Sequence, residues 1–91
     1  MNNEAYSVKQ GYVLREIADE YLAVPINSGA ESSQLIILNP VSALLWKQMQ
    51  NEKTIEQLVE AVKSEFDVSR EEAESDIKAF IASLKELNLL N

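Results

Sequence analysis

The chain contains no cysteine and no histidine. Disulfides, thiolate zinc sites, Cys-His nucleophile pairs and Ser-His-Asp triads are therefore excluded together. Glycine occurs only at positions 11 and 29, which leaves no Gly-rich loop to cradle a phosphate. No nucleophile-base pair remains, so no catalytic residue and no cofactor is expected. Glu72 and Asp76 stand four apart but have no further ligand beside them, and no metal is expected either. No apolar run reaches the length of a membrane span, and Met1 to Gln10 lacks the basic and apolar regions of a signal peptide. Together with the missing cysteines, this suits a soluble protein of the reducing cytoplasm. Positive charge is also scarce. Eight Lys and Arg face fifteen Asp and Glu, a net charge of −7 spread over the whole chain. That balance opposes phosphate backbones and anionic lipid, and it suits a basic peptide.

What is present suffices for one small domain. Ninety-one residues at 46% hydrophobic content support a single modest core. Two β-rich runs, Tyr12 to Ile17 and Glu20 to Pro25, are separated only by Ala18 and Asp19, a hairpin signal. Pro25 closes the second run because it has no ladder donor. A polar loop from Asn27 to Ser33 follows, then a third strand over Gln34 to Leu38. Its aliphatic run LIIL suits a strand covered on both faces.

Asn39-Pro40 reads as an N-cap with proline at the first helical position, so strand passes to helix without a linker. Val41, Leu44, Leu45 and Met49 then fall at helical spacing, with Trp46 beside them. Thr54 and Gln57 form a capping-box pair ahead of a second helical stripe, Ile55, Leu58, Val59, Val62 and Phe66. Ser69 and Glu72 repeat the box before a third stripe, Ala73, Ile77, Phe80, Ile81, Leu84 and Leu87. Leu89 and Leu90 are placed to pack back onto the core. Strands first and helices after indicate an α+β fold, with a three-stranded antiparallel sheet followed by three helices. Met1 to Gln10 is expected to be mobile, and 11–91 to form the domain.

The pattern YVLREIADEYLAVP, LIILNPVSALLW, KTIEQLVEAV and EFDVSREEAESDIKAFIASLKELNLL resembles the PqqD-like family, from about Gly11 onward. This family takes its name from the small D protein of pyrroloquinoline quinone biosynthesis. Its fold is also called the peptide recognition element of ribosomal natural-product pathways. The most specific parts are Leu38, Asn39, Ala43 and Trp46, the segment TIEQL, and FDV before the last helix. The resemblance implies a winged-helix-like, non-catalytic domain. Such a domain captures the leader of a ribosomally made precursor peptide and presents it to a modifying enzyme, often a radical S-adenosylmethionine protein. It implies strand addition along Gln34, Leu35, Ile36, Ile37 and Leu38, with a cleft wall at Ala73, Ile77 and Phe80. Asn51-Glu52-Lys53 stands where an Asp-Gly pair commonly precedes the threonine, which points to the broad family rather than to quinone biosynthesis itself.

Other readings compete. From the residues alone, LIIL reads more readily as a core strand than as a docking edge for a peptide. The acidic run Asp67, Glu71, Glu72, Glu74 and Asp76, relieved only by Arg70, stabilises a helix start or forms a rim attractive to a basic leader. A winged-helix DNA-binding protein shares the parts list, but its third helix would bring Glu71, Glu72 and Glu74 to phosphates. A monomer or a swapped dimer is expected, with exchange through Ser28 to Ser33 or Gln50 to Lys53. Trp46, Phe66 and Phe80 are expected to be core anchors. Replacing Trp46 by alanine should cost about 3–5 kcal/mol, measured as a drop in the urea midpoint.

Overall fold

A computed structural model describes residues 4–26 and 35–91. Its elements are β1 (Ala5–Tyr6), β2 (Tyr12–Ile17), β3 (Glu20–Pro25), β4 (Ile36–Leu38), α1 (Pro40–Gln48), β5 (Lys53–Thr54), α2 (Ile55–Glu65) and α3 (Arg70–Glu86). Strands β2, β3 and β4 form one antiparallel sheet in that order, and β1 pairs with β5. The architecture is α+β, as the order of strands and helices indicates.

Local chemistry sets most element ends. Ala18 and Asp19 both take positive φ, 51° and 69°, between the paired residues Ile17 and Glu20. This is the two-residue type I′ turn, whose twist matches that of the strands it joins. Asn39 is extended and accepts the Ser42 N–H on its side chain at 2.7 Å, with Pro40 next to it inside α1. Thr54–Gln57 and Ser69–Glu72 close both reciprocal capping boxes. Helix α3 ends in a Schellman motif, with Asn88 at φ 60°. The Leu89 N–H bonds the Leu84 carbonyl at 2.9 Å, and the Asn88 N–H bonds that of Lys85 at 3.1 Å. That turn leaves Leu87 exposed and buries Leu89 in its place.

The core is continuous. Leu45, Trp46 and Met49 of α1 and its end, Leu58, Val59 and Val62 of α2, and Ile77 and Leu84 of α3 are its most deeply buried side chains. Tyr12 from the sheet meets Trp46 edge-on, with ring centroids 5.7 Å apart. Leu14, Ala23 and Ile36 form a cross-strand row on the face toward this core. The next row, Arg15, Leu22 and Ile37, falls on the opposite face because side chains alternate. The run LIIL is thus not covered on both faces: Leu38 is buried, while Leu35 and Ile37 are exposed.

The segment 4–10, expected to be mobile, is tied into the fold. Val8 is buried and donates its N–H to the Met49 carbonyl at 2.9 Å. Lys9 N–H bonds the Leu89 carbonyl at 2.7 Å, and Asn91 N–H bonds that of Ser7 at 3.0 Å. The C-terminal tail and β5 supply partners far away in sequence, so no local pattern announces them.

The turn between β2 and β3 offers a stability test. Alanine in the left-handed region is disfavoured by about 1–2 kcal/mol. Replacing Ala18-Asp19 by Asn-Gly should therefore stabilise the domain by about 1 kcal/mol, raising Tm by roughly 4–8 °C in a thermal melt.

Candidate peptide-binding site

The direction of each backbone group in the sheet follows from one hydrogen bond. In an antiparallel ladder a residue points its N–H and C=O to the same side, and successive residues alternate. Ile26 N–H donates to the Gly11 carbonyl at 2.9 Å, so Leu22 and Val24 also face β2. Tyr21 and Ala23 then face β4, where they meet Leu38 and Ile36. Ile37 is left with its N–H and C=O pointing away from the sheet, along the edge of β4 that no other described strand pairs with. Pro25 falls on the side away from β2, so its missing donor breaks no bond of the β2–β3 ladder.

Asn39 ends that edge. Its carbonyl accepts the Ala43 N–H at 2.8 Å, so the acceptor belongs to α1 and is closed to a further strand. A groove of about 250 Å³ opens at this point, between the first turn of α1 and one face of α3. Its walls are Asn39, Val41 and Ser42 on one side and Asp76, Ala79, Phe80 and Ser83 on the other. The α3 residues are spaced 0, 3, 4 and 7, a single stripe of the helix. Phe80 supplies the apolar floor, and a carboxylate, hydroxyls and an amide surround it.

The residues of the expected cleft wall divide between the core and the groove. Ala73 and Ile77 are fully buried, facing α1 and α2 within the core. Of that trio only Phe80 reaches the groove, since it lies where the core stripe and the groove stripe of α3 adjoin. Ile36, Ile37 and Leu38 form β4 and Leu35 directly precedes it, while Gln34 falls outside the described residues. Asp76, Ala79 and Ser83 were legible only as the polar stripe flanking the apolar one.

The acidic run resolves into separate roles. Glu72 caps Ser69, and Arg70 bonds Glu74 at 3.0 Å and both oxygens of Glu56 at 2.6 Å. Chiefly through Glu56, these bonds raise the Arg70 pKa, so that cation is held at the surface between α2 and α3. Asp76 is the member that turns to the groove. The Tyr6 phenol has its pKa raised by its hydrogen bond to Glu4, at the β1 side of the molecule. Among the described residues no group of acidic side chains is arranged to hold a metal ion, and no helix is long and apolar enough to cross a membrane.

Residues 29–90 match the family described as Coenzyme PQQ synthesis protein D (PqqD). Two solved structures share the fold, each at a TM-score of 0.72. "TbiB1 in Complex with the TbiA(beta) Leader Peptide" is 24% identical, over 93% of this chain and 94% of that one. "Lasso peptide synthetase B1 complexed with the leader peptide" is 21% identical, over 94% and 96%. No curated protein matches the chain significantly in sequence.

The alternation of the β4 backbone separates two proline substitutions. Ile36→Pro removes a donor that faces β3 and should cost about 1–3 kcal/mol through the carbonyl left unpaired. Ile37→Pro removes a donor that faces away, and its urea midpoint should move much less.

Proposed function

Because this chain belongs to the PqqD family, we propose that it captures the leader segment of a ribosomally made precursor peptide and presents it to a modifying enzyme. The observation that carries this reading is the free edge of β4 ending beside the groove between α1 and α3. An extended peptide laid along β4 bonds the N–H and C=O of Ile37, a pairing that satisfies main-chain groups on both partners. Alternate side chains of the peptide then enter the groove. An apolar one packs on Phe80 and Val41, and a basic or hydroxyl-bearing one reaches Asp76 and Ser83. Asn39 sets the end of the added strand, because its carbonyl already serves α1.

The role is non-catalytic and cytoplasmic. A chain without histidine or cysteine has few means of proton transfer or nucleophilic attack, and its work is selection and positioning. A duplex-binding role gains no support: Glu71 and Glu72 occupy the first turn of α3, where phosphates would have to approach.

The test is an isotope-edited NMR titration with a synthetic cognate leader peptide. Amide shifts are expected at Ile36 to Leu38 and along Asp76 to Ser83. Ile37→Pro should weaken affinity by at least about tenfold, the scale of a lost pair of backbone hydrogen bonds. Shifts confined to the β2–β3 turn would sink the geometry.

A further inference from the structure

Among the described residues the exposed large apolar side chains are Ile17 (55%), Ile26 (62%), Leu35 (53%), Ile37 (69%) and Leu87. All but Leu87 belong to one surface. Ile37 shares a cross-strand row with Leu22 and Arg15, on the face of the sheet opposite the core. Alternation puts Ile17, Ile26 and Leu35 on that same face. Val13 and Val24 lie between them as another cross-strand pair and are absent from the core cluster. The sheet is therefore apolar on both faces, and only the inner one is covered by α1. Soluble monomers rarely leave so continuous an apolar surface open unless something binds there.

We propose that the outer face of the β2-β3-β4 sheet docks the modifying enzyme, through an apolar patch on that enzyme rimmed by lysine or arginine. The leader-binding reading supplies the identity of the partner, and the surface itself is argued independently of it. Two features favour this occupant over a second copy of the chain. The turn end of the face carries Asp19 and Glu20, while Arg15 is the one cation within it among the described residues, so a basic rim complements it. A second copy brings the same acidic turn and the same net charge of −7, which oppose self-pairing.

Position is the second argument. Ile37 directs its backbone to the free edge and its side chain to the outer face. A strand added at that edge extends the outer face, so a protein docked there contacts sheet and bound peptide together. An enzyme that must receive the peptide gains from such a composite surface, because it recognises the loaded form.

The experiment uses the full chain, its cognate leader peptide, and the cognate modifying enzyme as purified protein. Ile17 and Ile26 lie away from β4, so the double variant I17D/I26D leaves the peptide edge intact. Leader affinity should stay within about twofold, and enzyme affinity by interferometry should fall at least about tenfold. The milder I17S/I26S variant carries the test should the charged one lose its fold. Unchanged enzyme affinity, or no association of the wild type with that enzyme, overturns the proposal. So do wild-type dimers in sedimentation velocity that the variant dissolves, since a second copy would then occupy the face. A wild type that binds the enzyme but not the leader, with enzyme affinity still lost in the variant, strikes the leader reading and upholds the docking surface.

Discussion

One short helix sets the distances between all the other parts. Helix α1 has nine residues and is the element through which the sheet on one side meets α2 and α3 on the other. Leu45, Trp46 and Met49 are buried, and the Tyr12–Trp46 contact ties β2 to it. So small a domain cannot afford two cores, and sharing one helix between layers solves that. It also holds α3 away from the edge of β4. The groove beside Asn39 exists because α3 packs chiefly against α2 and α1 rather than against the sheet.

The junction at Asn39-Pro40 gives this arrangement its register. A single residue ends the ladder of β4 and caps α1, so strand and helix have no slack between them. Sliding β4 by one residue would move Leu38 out of the core and break the cap together. The outward-facing edge of β4 is accordingly short, centred on Ile37, and closed at one end by the helix. Around it the acidic side chains are sorted. Glu72 serves a cap and Glu56 and Glu74 hold Arg70, which leaves Asp76 to face the groove.

Much of this was legible in the sequence. The hairpin around Ala18-Asp19, the caps at Asn39, Thr54 and Ser69, and the apolar stripes of α2 and α3 were all readable within a few residues. The site was legible only in part. Its edge, LIIL, was recognisable as unusual, but four consecutive aliphatics do not say which two face solvent. The wall was placed one step round the helix, on Ala73 and Ile77, because an apolar stripe reads the same whether it lines a core or a cleft. The strap at 4–10 escaped because its partners, β5 and the tail near Leu89, lie far along the chain.

Caps, turn residues and the period of apolar positions are interactions within one or two turns of chain, so the amino-acid sequence by itself determined the elements, their order and their ends. Its composition likewise determined the acidic charge and the absence of histidine and cysteine. Tertiary structure alone decided which edge of the sheet no described strand pairs with, which stripe of α3 looks into the groove, and that Ile17, Ile26, Leu35 and Ile37 are exposed. Those depend on where elements distant in sequence come to rest, and burial in a shared core is a property of the packed whole.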